Sequence, residues 1–114
     1  MPVRIDDRGA NNQVDAPTGF LETYDVVRIL SDEMEDNDLF VPGSSGACSE
    51  VSMQAFENKP GQRVFNSEGL GPMGFGIAAP IGASCLRPES NIYSIDGDGG
   101  FQMNVQELEV ASRR

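Results

Sequence analysis

One acidic, glycine-rich turn near the end of the chain contains residue types suited to binding a charged ligand. It runs from Asp96 to Gly100, directly after a short apolar run at Ile92 to Ile95. Glycine lets the backbone approach a ligand closely, and the first N–H groups of a helix lack intrahelical acceptors, which suits phosphate. A carboxylate beside bound phosphate favours Mg²⁺, which bridges the two. The turn therefore predicts a phosphate and Mg²⁺ site that includes Asp98.

The same turn also has a purely structural interpretation. Asp96 and Asp98 are common turn residue types, and one of them could cap the last helix. The chain contains no GxxxxGK[ST] motif, so a P-loop is not indicated. Residues 69–74 fit GxGxxG spacing but lack the strand-end context of a ribose-binding acid.

Composition argues against several classes of partner. The 114 residues include 18 acidic and 8 basic residues and no histidine, for a net charge of −10. No basic patch suited to nucleic acid is visible, and the apolar stretch at 75–86 is too short to cross a membrane. No signal peptide is evident, and the two cysteines lack CxxC spacing. We therefore expect a cytoplasmic protein with reduced thiols and neither nucleic-acid nor membrane partners.

The hydrophobic pattern predicts strands that alternate with helices after a polar N-terminal arm at 1–19. An acidic run at 33–38 is interpreted as a solvated loop. Each strand leads into a glycine-rich loop, at 43–46, 69–76 and 97–100. This order predicts an α/β fold with a parallel sheet and crossover helices, in which ligands bind beyond the carboxyl ends of the strands. The predicted strands are 39–41, 63–65 and 92–95, and the predicted helices are 21–34, about 51–56, about 76–86 and a last one through Val105 and Leu108.

Two segments carry a resemblance to a known family. "GDGGFQMNVQEL" and "NSEGLGPMGFGIAAPIGA" resemble the cofactor domain of thiamine-diphosphate-dependent enzymes of the acetolactate synthase type. The resemblance covers residues 20–114, and its pairing of GDGxFxMNxxEL with an upstream GLGxMGFG is specific. It implies a Rossmann-like three-layer domain, of which residues 20–114 would form the N-terminal half.

The resemblance also implies roles for individual residues. Asp98 would be the first protein ligand of Mg²⁺. Gly71 would present its carbonyl to the aminopyrimidine ring, and Met73 would lie under the bent cofactor, although a core gap-filler is the alternative for Met73. The residues implied in backbone or diphosphate contacts are Gly46, Ala47, Gly97, Gly99 and Gly100.

The activity implied by the resemblance is decarboxylation of a 2-keto acid such as pyruvate and transfer of its two-carbon unit. The catalytic glutamate would lie on another domain, and further metal ligands would follow Arg114. The parent would be a homodimer or homotetramer with its active site between subunits, and this segment alone would be inactive. Alternatives are a simple 2-keto acid decarboxylase, a sugar-pathway lyase, a non-catalytic chain of a split enzyme, or a structural domain without a cofactor.

Two positions depart from the family pattern. Gly46-Ala47-Cys48 stands where a Gly-Gln-His type sequence is usual, so a histidine near the substrate is absent. Pro80 lies deeper in its helix than the family's proline. A proline beyond the first helical turn removes a backbone hydrogen bond and clashes with the preceding turn.

Overall fold

The computed structural model describes residue 19 and residues 21–113, except for the side chain of residue 68. The expected N-terminal arm lies outside the described residues apart from Gly19. The helices are α1 (Thr23–Glu33), α2 (Ser49–Ala55), α3 (Phe75–Leu86), α4 (Asp98–Met103) and α5 (Leu108–Ser112), and the strands are β1 (Leu39–Pro42), β2 (Arg63–Val64) and β3 (Ile92–Ile95). Short 3₁₀ turns lie at Glu68–Leu70 and Val105–Glu107.

The three strands form one parallel sheet in the order β2-β1-β3, which confirms the predicted fold class. Leu39 of β1 aligns with Arg63 of β2 and with Ile92 of β3. All four residues of β1 are buried, as expected of a central strand. The chain passes from β1 to β2 on one side of it and then crosses to β3 on its other side. Right-handed crossovers then assign α2 and α3 to opposite faces.

The core is built around β1 and the two helices that flank it in sequence. Phe40 and Val41 are fully buried, and the Phe40 ring stacks on Phe56 with centroids 4.9 Å apart. Val27 and Met34 of the α1 region are also buried, at a spacing that places them on one helix face. This face of α1 packs toward α2, whereas α3 packs on β1 and β3.

Two sequence-based expectations were wrong in detail. The acidic run is not wholly solvated, because Asp38 is only 3% exposed and its carboxylate accepts hydrogen bonds from the backbone N–H groups of Glu35 and Asn91. The last helix is not continuous: α4 begins at Asp98 and ends before Asn104, whose backbone (φ −130°, ψ 28°) leaves the helical region. A 3₁₀ turn then leads into α5.

Pro80 lies in the second turn of α3, beyond the position where a helix tolerates proline freely. Proline at this position cannot donate to the carbonyl of Gly76, four residues earlier. The Ser94 hydroxyl of β3 lies 2.6 Å from that Gly76 oxygen and 2.8 Å from the Val41 oxygen. A side chain from the sheet therefore replaces the hydrogen bond that Pro80 removes.

The cysteines are both free, with Cys48 buried and Cys85 exposed. Over the described residues, no helix is long and apolar enough to cross a membrane.

Candidate functional site

The loops that follow the three strands contact one another at the carboxyl edge of the sheet. The Gly43 N–H donates to the Ile95 carbonyl at 2.7 Å and so joins the ends of β1 and β3. A Cβ placed on Gly71 would lie 3.8 Å from the Ser44 carbonyl oxygen. The Met73 methyl carbon would lie 3.1 Å from a Cβ placed on Gly99. The three predicted loops are therefore neighbours in space.

The turn after β3 leaves its second aspartate available to a ligand. Asp98 is exposed, is the first residue of α4, and accepts a hydrogen bond from the Gly99 N–H through Oδ1 at 2.8 Å. The N-cap residue of α4 is Gly97, so no side chain caps this helix. The alternative that an aspartate caps α4 is therefore wrong.

The loop before α3 depends on glycine for its conformation. Gly71 and Gly74 have φ of +51° and +86°, in the left-handed region that residues with a Cβ rarely adopt. Met73, between them, is 53% exposed and rests against Gly99 of the neighbouring turn. This exposure argues against the core gap-filler alternative for Met73.

Asn104, which the sequence analysis did not select, holds this loop against the C-terminal segment. Its side-chain amide donates to the Gly74 carbonyl at 3.1 Å. The same bond accounts for the end of α4 at this residue, because the Asn104 side chain is engaged with a different loop. The only available signal was its position five residues after Gly99 in the quoted motif.

Gly46 and Ala47 are exposed in the turn that leads into α2. The Gly46 carbonyl accepts hydrogen bonds from the N–H groups of Glu50 and Val51, at 3.1 and 3.3 Å. A Cβ on Gly46 would lie 3.5 Å from the Glu50 carboxylate. The Glu50 carboxylate therefore lies beside Gly46, where its charge would oppose that of a diphosphate.

The sequence analysis treated Asp96 only as part of the turn or as a helix cap and missed its position among the loops of this site. Its carboxylate lies against three glycines that come from the loop after β1 and from the first turns of α3 and α4: Gly43, Gly76 and Gly100. In the sequence, Asp96 is indistinguishable from an ordinary turn aspartate. The sequence did contain one signal, a glycine in each of the three loops. Glycines leave space in which a side chain from a neighbouring segment can fit.

The loops of the site carry no basic side chain to offset the charge of a phosphate ligand. The loops at 43–48, 65–74 and 96–100 contain no lysine or arginine. Within the described part of the chain, no three His, Cys, Asp or Glu side chains cluster as a metal site. Asp98 could thus supply one metal ligand, and the other ligands would come from phosphate oxygens, water or other protein segments.

Comparison with known proteins identifies relatives. Residues 44–114 match the family model described as thiamine pyrophosphate enzyme, C-terminal TPP binding domain. The chloroplastic acetolactate synthase of Arabidopsis thaliana is 42% identical over 82 residues, which is 72% of this chain and 12% of that protein. A probable acetolactate synthase large subunit of Methanocaldococcus jannaschii is 51% identical over 57 residues, 50% of this chain and 10% of the relative.

The large subunit of acetolactate synthase isozyme 2 from Escherichia coli is 47% identical over 53 residues, or 46% of this chain and 10% of that subunit. The chain thus spans about a tenth of the length of these relatives. The family match covers more than half of the chain and includes residues 44–46 of the first loop and all of the other two loops that meet at the carboxyl edge. The chain belongs to the thiamine pyrophosphate enzyme family, through its C-terminal TPP-binding domain.

Proposed function

We propose that the carboxyl-edge loops bind thiamine diphosphate together with Mg²⁺, as part of an acetolactate synthase-like enzyme. The observation that carries this proposal is the proximity of the three loops. The Gly43 N–H bonds the Ile95 carbonyl, and a Cβ built on Gly71 or on Gly99 would meet Ser44 or Met73, respectively. These are the loops in which the family resemblance places the cofactor contacts. Their convergence gives one ligand access to all of them at once.

Asp98 is the proposed metal ligand because it is exposed and begins a helix at the carboxyl end of β3. The Gly99 and Gly100 amides belong to the first turn of α4, where N–H groups have no backbone acceptor within the helix. The Gly99 N–H donates to Asp98 Oδ1 and would exchange that acceptor for a diphosphate oxygen. Gly97 precedes these two glycines, and Gly46 and Ala47 add backbone groups from the loop after β1. With no basic side chain in these loops, Mg²⁺ on Asp98 would offset the charge of the diphosphate.

The proposed position of the cofactor rings is the loop between Gly71 and Gly74. Gly71, in a left-handed conformation, would offer its carbonyl to the aminopyrimidine. Met73 is half-exposed beside Gly99, so its thioether is available to support a bent cofactor next to the diphosphate turn. Asn104 would hold the Gly74 end of the loop by its 3.1 Å hydrogen bond.

Thiamine diphosphate, when bound, supplies the thiazolium that stabilises the carbanion left by decarboxylation of a 2-keto acid. The residues of this chain would bind and orient that cofactor. None of them is proposed as the group that activates the aminopyrimidine, which we expect to be a glutamate of another domain. The proposed substrate is a 2-keto acid such as pyruvate, with transfer of its two-carbon unit to an acceptor.

The whole protein is proposed to act as a homodimer or homotetramer with its active site between subunits. This proposal follows from the family resemblance. The C-terminal segment exposes apolar side chains that an adjoining segment or subunit of the whole protein would cover. The side chains concerned, each at least 40% exposed, are Phe101, Met103, Val105, Leu108 and Val110.

Cys48 is the reason to test for a second reaction, simple decarboxylation or a lyase reaction. This residue stands where a histidine is usual, and it is buried at the start of α2. Its side chain is therefore not available to a substrate. Product analysis separates the candidates: acetolactate indicates carboligation, whereas release of the free aldehyde indicates a simple decarboxylase or a lyase.

The test is calorimetric titration of the whole protein that contains this chain with thiamine diphosphate at saturating Mg²⁺. We expect binding that requires Mg²⁺ and that Asp98→Asn weakens by more than about a hundredfold, beyond the effect usual for an outer-shell partner. Asp36→Asn is the matched control, because Asp36 is exposed in the turn before β1. Mg²⁺-dependent binding that Asp98→Asn leaves unchanged would contradict the assignment of the metal ligand.

A further inference from the structure

The carboxylate of Asp96 occupies the space that a side chain would need at three separate glycines. A Cβ on Gly43 would overlap Asp96 Oδ1. A Cβ on Gly76 would lie 2.7 Å from Asp96 Oδ2, and one on Gly100 would lie 2.5 Å from Oδ1. Real Cβ atoms do not approach other atoms this closely, so alanine does not fit at any of the three positions while Asp96 stays in place.

Backbone conformation does not account for these glycines. The described glycines with positive φ are Gly19, Gly61, Gly71 and Gly74, and none of the three that surround Asp96 is among them. An L-residue could therefore adopt the backbone at Gly43, Gly76 and Gly100. A side chain at each of them would meet the Asp96 carboxylate first, with Asp96 Cα 3.0 Å from a Cβ on Gly43 and Asp96 Cβ 3.0 Å from one on Gly76, so the requirement for glycine is steric.

Only one of the two oxygens of the Asp96 carboxylate is hydrogen-bonded in the described structure. Oδ1 accepts a hydrogen bond from the Gly97 N–H at 2.9 Å. Oδ2 is buried and has no hydrogen-bond partner among the described residues. An unsatisfied buried oxygen lowers stability, so the carboxylate is not placed here to optimise hydrogen bonding. Its close packing against three chain segments is the feature that remains.

We propose that Asp96 is a positioning residue for the cofactor site. Its carboxylate packs between the loop after β1, the first turn of α3 and the first turn of α4, and so sets their separation. Gly100 belongs to the diphosphate turn, and Gly76 is the second residue of the helix that follows Met73. This inference rests on the proposed binding of thiamine diphosphate. Asp96 acts in it through these loops and does not itself touch the cofactor.

The test compares two substitutions in the whole protein by calorimetric titration with thiamine diphosphate at saturating Mg²⁺. Asp96→Ala removes the carboxylate, and we expect the dissociation constant to rise about ten- to a hundredfold, as for other residues that orient a metal site indirectly. Asp96→Asn keeps the shape and the acceptor for the Gly97 N–H, and we expect a change of less than about threefold. Thermal unfolding of both variants checks that they fold.

A second set of variants tests the steric argument without relying on Asp96→Ala alone. Gly76→Ala should weaken cofactor binding, because the new methyl group meets Asp96 Oδ2. In the Gly76→Ala/Asp96→Ala double variant the carboxylate contacts at 2.7 and 2.8 Å are gone, and of the three nearest atoms only the Cβ of residue 96, 3.0 Å from the new methyl group, remains. We therefore expect affinity at least about fivefold tighter than in Gly76→Ala. Non-additivity of this kind is expected only for residues in direct contact.

The outcomes separate this inference from the proposed function. If the unaltered protein binds thiamine diphosphate, Asp98→Asn abolishes binding and Asp96→Ala binds as tightly as the unaltered protein, the positioning role is wrong and the cofactor site stands. An Asp96→Asn variant as weak as Asp96→Ala also overturns the positioning role, because charge rather than shape would then matter. If the unaltered protein does not bind thiamine diphosphate, both proposals fail.

Discussion

An aspartate lies next to a strand at each edge of the sheet, and the two carboxylates differ in how completely they are hydrogen-bonded. At the amino edge, Asp38 directly precedes β1, and both of its carboxylate oxygens are used: Oδ2 accepts from the Glu35 N–H at 2.9 Å and Oδ1 from the Asn91 N–H at 3.1 Å. At the carboxyl edge, Asp96 directly follows β3 and leaves Oδ2 buried without a partner in the described structure.

The residues around Asp38 are also hydrogen-bonded more completely than those around Asp96. Polar side chains at the amino edge bond to backbone groups, since the Gln62 side chain donates to the Glu35 carbonyl at 2.7 Å and accepts from the Lys59 backbone N–H at 2.8 Å. The carboxyl edge consists of glycines, an exposed Asp98 and a half-exposed Met73. The amino edge is therefore organised for stability, whereas the carboxyl edge leaves groups available to a ligand at a cost in stability.

Removal of the Asp38 carboxylate gives the largest expected change in stability. Asp38→Ala leaves the Glu35 and Asn91 N–H groups without their acceptor, so we expect a loss of about 2–4 kcal/mol in the free energy of unfolding. Urea denaturation measures this loss. Asp36→Ala, in the exposed turn nearby, should change stability by less than about 0.5 kcal/mol.

The cofactor affinity of the folded Asp38→Ala protein tests whether the amino edge serves stability alone. We expect the dissociation constant for thiamine diphosphate to stay within about threefold of the unaltered value, because an outer-shell residue of the site would change it by ten- to a hundredfold. A large loss of affinity with unchanged stability would mean that the amino edge also shapes the site.

Ser94→Ala is expected to have an intermediate effect. It removes the donor 2.6 Å from the Gly76 carbonyl, and we expect a loss of about 1–2 kcal/mol in the free energy of unfolding. In a Pro80→Ala background the helix can supply its own N–H to Gly76, so the same substitution should cost less there. Equal losses in both backgrounds, measured by urea denaturation, would show that Ser94 does not compensate for the proline.

Lys59→Met is expected to have the smallest effect. The ammonium group donates to the carbonyls of Asp32 and Met34 at the C-terminal end of α1, at 2.6 and 2.5 Å. A cation there offsets the acidic residues that surround this helix end, and we expect a loss of about 0.5–1 kcal/mol. The loss should shrink in 1 M salt, where the Debye length falls to about 3 Å. A salt-independent loss would point to packing of the lysine stem instead.

Most of the element order was predictable, because short apolar runs bounded by glycine, proline or acidic residues are distinctive. β1 and β3 were found within one residue of their bounds. β2 is shorter than predicted: the Phe65 N–H still donates to Phe40, but the Phe65 ring turns to pack edge-on against Phe75, with centroids 6.2 Å apart. The break at Asn104 was not predictable, because it depends on a hydrogen bond to a loop distant in sequence.

The candidate site was predictable to the level of its loops. Glycine-rich segments after parallel strands must meet at one edge, so the grouping of the loops around Gly43, Gly71 and Gly99 followed from strand order alone. The roles of Asp98 and Met73 remain predictions, supported by their exposure and position. The part played by Asp96 was not accessible, since it depends on close approach to glycines in three segments that are far apart in the sequence.

The amino-acid sequence by itself determined the fold class, the parallel order of strands and helices, and the family through its two motifs. These properties are encoded locally, in hydrophobic runs and in glycines at fixed spacing. Only the tertiary structure decided which polar groups are satisfied. Asp38 and Asp96 are the same residue type beside apolar strands, yet one meets two N–H donors and the other meets glycines. Hydrogen bonds and close packing join segments from across the chain, and their partners are set only once the sheet has formed.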